Sequence, residues 1–105
     1  MREPTFGQIL AEARRKAGLS QKQLAALIKK ADGRAISPQY LNDLEHDRRH
    51  PPSEFLLTQF ARALKLEHDY LMLAAGRIPP DVRAIGMANP QVVEEAFRVF
   101  RKSRQ

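Results

Sequence analysis

The chain has 105 residues and no cysteine, which excludes a disulfide framework and a thiolate zinc site. Its 43% hydrophobic and 29% charged residues are the composition of a globular domain, not of a disordered tail, and the length leaves little room for a deep active-site cleft. A net charge of +6 favours an anionic partner, nucleic acid first and an anionic membrane surface second.

Strand signals are nearly absent, and helical signals follow one another along the chain. Thr5 and Gln8 have capping-box spacing at the start of a first helix. Its buried stripe is Phe6, Ile9, Leu10, Ala13 and Ala17, and Gly18 closes it. Ser20 and Gln23 repeat the capping box for a short second helix, with Leu24, Ala25, Leu27 and Ile28 on its apolar side. KKADGRA, residues 29–35, is a basic turn marked by Asp32-Gly33.

Ser37 is an N-cap and Pro38 an N1 residue for a third helix over about 38–46. Leu41 and Leu44 turn one face to a core. Gln39, Asn42, Asp43 and His46 share the opposite face at i, i+3, i+4, i+7, a pattern that core filling does not require. His50-Pro51-Pro52 ends this segment. Ser53 then caps a fourth helix with the stripe Phe55, Leu56, Leu57, Phe60, Ala61 and Leu64, and a fifth covers about 67–75 before Gly76. Arg77-Ile78-Pro79-Pro80 reads as a stiff connector and Asp81 to Ile85 as a single turn. Asn89-Pro90 opens a last helix to about Lys102, with Val93, Ala96, Phe97 and Phe100 along one face and Val92 and Val99 widening it.

LSQKQLA (19–25) followed by ISPQYLNDLE (36–45) resembles the helix-turn-helix of the Cro/lambda-repressor (Xre-like) transcriptional regulators, over residues 5–75. The resemblance implies an all-α fold: a five-helix DNA-binding bundle over residues 1–76, followed by a connector and an extra C-terminal helix over 77–105. It implies base reading by Gln39, Asn42 and Asp43 in the major groove. Gln and Asn can pair with adenine N6 and N7, and Asp can accept from cytosine N4. The resemblance implies that Gln21 contacts phosphate or braces a base-reading side chain and that Ser37 touches backbone or base, and the basic flanks Lys22, Lys29, Lys30, Arg34, Arg48 and Arg49 supply the charge that the recognition segment lacks. Tyr40 is read as packing partly against the turn, with a phosphate contact through its hydroxyl as the alternative. Arg14 and Glu45 match a pair that forms an internal salt bridge.

Two departures stand out. The link between the second and third helices is longer than the family's, and Asp47 stands where the family often has glycine.

The expected partner is double-stranded DNA, read by a homodimer on a palindrome. Val93, Ala96, Phe97 and Phe100 are the expected dimer face. The competing reading is an antitoxin-type regulator that uses this face for a protein partner such as a toxin, and a third is a purely protein-binding helical module. No nucleophile elbow, P-loop or dinucleotide fingerprint is present, so no enzyme and no cofactor are expected. His46 and His50 have helical ligand spacing, but the prolines that follow break it and no metal is expected. No apolar run approaches the ~18 residues of a membrane span, and MREPTFGQ lacks a signal-peptide core. The expected location is the cytoplasm, on the nucleoid.

Overall fold

The computed structural model describes residues 2–104. Met1 and Gln105, the outer limits of the two expected segments, lie outside them. Seven helices follow one another: α1 (Phe6–Lys16), α2 (Gln21–Leu27), α3 (Pro38–Glu45), α4 (Glu54–Leu64), α5 (His68–Ala74), α6 (Pro80–Ala88) and α7 (Pro90–Lys102). Both capping boxes form with both arms, at Thr5–Gln8 and Ser20–Gln23. The Ser37 side chain accepts from the Tyr40 N–H, with Pro38 in the first turn. Ser53 stands at the N-cap of α4 without a side-chain cap bond.

One core holds α1 to α5 together. It contains Phe6, Leu10, Leu24, Ile28, Ile36, Leu41, Leu44, Leu57, Phe60, Leu64, Leu71 and Met72. α3 packs on α1 and α2, and α4 packs on α5. Three expected stripe residues face outward instead: Ala17, Leu27 and Phe55 are exposed. Ala17 is the C-cap of α1, where the helical stripe has already ended. Leu27 and Phe55 lie on the outer sides of α2 and α4, whose inner sides are already filled by Leu24, Ile28, Leu57 and Phe60.

α1 and α3 approach unusually closely at Gly7. A Cβ there would lie 2.5 Å from the carbonyl oxygens of Leu44 and Glu45. Asp47 secures the same contact. It takes a left-handed conformation (φ 58°) just beyond the C-cap of α3. Its N–H donates to Leu44 O, and the next N–H, of Arg48, donates to Asp43 O, the two bonds of a Schellman turn. A non-glycine residue there carries a backbone cost. The Asp47 carboxylate offsets that cost by accepting from the Gly7 N–H (2.9 Å) and the Thr5 hydroxyl (2.6 Å). Asp47 therefore ties α3 to the start of α1.

The long link between α2 and α3 is a small hairpin. Lys29 and Ala35 form an antiparallel bridge, the Lys30 N–H donates to Arg34 O and the Ile36 N–H donates to Ile28 O. Gly33 supplies the positive φ of the turn (86°), and the Asp32 side chain accepts from the Arg34 N–H. Because Ile28 and Ile36 at its base are both buried, the extra residues loop out without disturbing the docking of α3.

The segment read as a single turn at Asp81–Ile85 is a full helix, α6, with Pro80 in its first turn. α6 and α7 pack on each other and contribute no buried residue. The radius of gyration is 15.5 Å, against about 13 Å for a compact chain of this length. The excess reflects this C-terminal arm.

Candidate nucleic-acid interface

The core face of α3 decides what its other face shows. Leu41 and Leu44 are fully buried, which leaves Gln39 exposed and Asn42 and Asp43 half-buried at the surface.

Two chains of polar contacts organise that surface. The first begins inside. Glu45 is buried, and Arg14 grips it with two hydrogen bonds, Nε to Oε2 at 2.6 Å and Nη2 to Oε1 at 3.0 Å. Arg14 Nη1 also donates to Leu19 O, so the pair joins α1, the α1–α2 turn and α3. The bond to Glu45 raises the Arg14 pKa above its ordinary value, against the opposing effect of burial. Gln21 extends this chain outward. Its Nε2 donates to Glu45 Oε1 (2.9 Å) and to Asn42 Oδ1 (3.0 Å). The Asn42 amide is thereby held with one acceptor position satisfied and its NH2 group turned away from Gln21.

The second chain lies on the surface. Asp43 Oδ1 accepts from Gln39 Nε2 at 3.0 Å and pairs with Arg48 Nε at 3.4 Å. Asp43 thus places a long amide and a guanidinium side by side along α3. The Arg49 guanidinium stands 5.2 Å from the centre of the Tyr40 ring. Burial pushes the Tyr40 phenol up, and nearby Arg49 only partly offsets this, so the hydroxyl is a neutral donor at neutral pH. His46 stands at the C-cap of α3 with Nδ1 2.9 Å from Asn42 O.

The remaining cations lie on two other elements. Lys22 is exposed in the first turn of α2, close in sequence to Gln21. Lys29, Lys30 and Arg34 are exposed on the hairpin. That hairpin is anchored to α4 by Gln59, whose side chain accepts from the Lys29 N–H and donates to Lys29 O, both at 2.7 Å. Sequence reasoning missed Gln59, which has no local signal in a helix. It also missed Thr5 and Gly7 as partners of Asp47, although a glycine inside a helical run hints at a close approach. Ser37 contributes to α3 as its cap. Val93, Ala96, Phe97 and Phe100 lie apart from all these groups, on α7.

A short helix capped at its N-terminus by serine, braced from behind by a second helix and presenting amide groups outward is the arrangement of a helix-turn-helix DNA-binding unit. The helix-turn-helix family model matches residues 10–71, from α1 into α5, and the chain belongs to this Cro/C1-type, lambda-repressor-like family of DNA-binding transcription regulators. No curated protein matches the chain. No helix among the described residues is long and apolar enough to cross a membrane.

Proposed function

We propose that the protein is a sequence-specific transcriptional regulator that lays α3 in the major groove of double-stranded DNA. The observation that carries this reading is the hydrogen bond from Gln21 to Asn42, continuous with the buried Arg14–Glu45 pair. An amide held in one rotamer loses less entropy on meeting a base edge than a mobile one. In this reading Asn42 and Gln39 pair with base edges. Asp43 orients Gln39 through one oxygen and accepts from cytosine N4 through the other. Gln21, its side-chain NH2 committed to Glu45 and Asn42, reaches phosphate through its backbone N–H at the start of α2. Lys22, Ser37, Tyr40, Arg48 and Arg49 contact phosphate or backbone, as do Lys29, Lys30 and Arg34 on the hairpin.

The working form is a dimer on a palindrome, with half-sites about one helical turn (roughly 34 Å) apart. Residues 1–76 are the DNA-binding domain and 77–105 a connector and helical arm that joins two copies. The exposed face of α7 also suits the second reading, an antitoxin-type regulator whose arm holds a protein partner.

Selection from a random duplex pool, with competitor DNA at near-physiological salt, tests the proposal. A palindrome with half-sites one turn apart is the expected product. Binding without enrichment of any sequence refutes base reading.

A further inference from the structure

α7 carries its apolar side chains on one arc. At 3.6 residues per turn, Val99, Ala96, Phe100, Val93 and Phe97 follow one another around the helix on the same side. α6 meets only part of this arc, where Gly86 faces Val93. Phe97 and Phe100 remain 48% and 65% exposed. Two phenylalanines in one such face call for a cover.

Charge identifies the cover. The arc is bordered on both flanks, and both flanks carry charge in the same order. On one, Glu94 precedes Arg101 by seven residues. On the other, Glu95 precedes Lys102 by seven. These pairs are two turns apart, too far to meet within one helix. Arg101 stands over the Phe97 ring at 5.9 Å, at the edge of the arc. Glu95, next to the opposite edge, pairs within the chain with Arg98 on the polar side of the helix. A groove on the Glu94–Arg101 side has Val93 and Phe97 as its apolar lining and is bordered by Glu94, Arg98 and Arg101, with Lys102 reaching it from the polar side of the helix.

Two copies of this helix laid parallel would set acid against acid and base against base. Laid antiparallel, the acidic end of each meets the basic end of the other, on both flanks at once. A two-fold interface requires that when residue i meets j, j also meets i, and this pattern meets that condition. Antiparallel helices also place opposite ends of their dipoles together.

We propose that α7 forms a two-fold interface with a second copy of this chain, the two α7 helices antiparallel and crossing near Phe97 and Arg98. Val93, Ala96, Phe97 and Phe100 pack between them. Glu94 faces the partner's Arg101, and Glu95 faces the partner's Lys102. The interface rests on the dimeric reading above and gives it an orientation. It also joins the two DNA-binding bundles through an arm that contributes nothing to their cores.

Sedimentation equilibrium of the full chain, without DNA and at low salt, tests it. The unchanged chain is compared with the double variants E94R/E95K and R101E/K102E and with an equimolar mixture of the two. All four positions are exposed, so each variant should keep its helical circular dichroism. The unchanged chain is expected to dimerise. Each double variant alone should dimerise about tenfold more weakly or worse, because attraction becomes repulsion on both flanks. The mixture, one α7 whose charged side chains are all basic with one in which four acidic side chains outnumber Arg98, should recover as a heterodimer.

Three results overturn the proposal: a chain monomeric at ~100 µM, a weak association on the scale of protein contacts; double variants that dimerise as well as the unchanged chain, as an orientation without opposite charges would allow; or a mixture that does not recover. A monomer that still selects a DNA sequence removes the interface alone and shifts attention to a protein partner for α7. A dimer without sequence preference leaves the interface standing and removes the DNA reading.

Discussion

Replacing Gly7 by alanine tests how α3 is seated. Alanine is a better helix former than glycine by up to about 1 kcal/mol, so at an open position Gly7→Ala would stabilise α1. Gly7 is not open. The added Cβ would sit 2.5 Å from two backbone oxygens, Leu44 O and Glu45 O, and 2.8 Å from Asp47 Oδ1. Backbone at the end of a packed helix cannot rotate away, so α1 must retreat by about 0.5 Å even to reach 3.0 Å, below which Cβ contacts essentially do not occur. Overpacking of this kind costs about 1–3 kcal/mol. The retreat also stretches the Gly7 N–H bond to the Asp47 carboxylate, a charge-assisted bond worth about 1.5–3 kcal/mol. Setting the gain in propensity against these losses leaves a net destabilisation of about 2–3 kcal/mol. For a bundle of this size that lowers Tm by about 10 °C or more. Urea titration followed by circular dichroism measures it. Gly86→Ala is the comparison, because its Cβ meets only a Val93 methyl at 3.1 Å and should change stability little. A Gly7→Ala protein as stable as the original would refute the close seating of α1 on α3.

Asp47 should behave oppositely to an ordinary surface residue. Asp47→Ala loses both carboxylate bonds and keeps the left-handed strain, whereas Asp47→Gly loses the bonds but relaxes the strain. Alanine should therefore be the less stable by about 1 kcal/mol in urea titration. Arg14→Ala leaves Glu45 buried without its main partner and should cost about 3–5 kcal/mol. Arg14→Met with Glu45→Leu should cost clearly less in the same titration. Gln59→Ala removes both side-chain anchors of the hairpin, and hydrogen exchange should show faster exchange at the Lys29, Lys30 and Ile36 amides with the core amides of α1 little changed.

Much of the bundle is legible in the sequence because its signals are local. Thr5–Gln8, Ser20–Gln23 and Ser37-Pro38 mark helix starts through bonds that span only a few residues. The outward face of α3 is legible for a related reason. Leu41 and Leu44 must be buried, and helical geometry then exposes Gln39. The features that escape sequence reading depend on distant partners. The 29–35 segment becomes an anchored hairpin because Gln59, about 30 residues on, takes both polar groups of Lys29. Asp47 suits a site usually held by glycine because Thr5 and Gly7 approach its carboxylate across about 40 residues. Leu27 and Phe55 read as core because hydrophobicity alone cannot tell which of two apolar sides a short helix buries. The full length of α6 is not legible in the sequence because its apolar residues, Val82, Ile85 and Met87, meet no core and show no clear stripe.

Base reading by α3 is tested by a single-base substitution series on the selected duplex. Affinity for each substituted site would be measured by fluorescence anisotropy at fixed salt for the unchanged chain, Gln39→Ala and Asn42→Ala. The unchanged chain should discriminate by about 1–3 kcal/mol at the contacted positions, and each variant should lose this discrimination at its own position while keeping it elsewhere. Variants that weaken binding equally on every duplex, with the original preferences intact, would contradict base reading by α3.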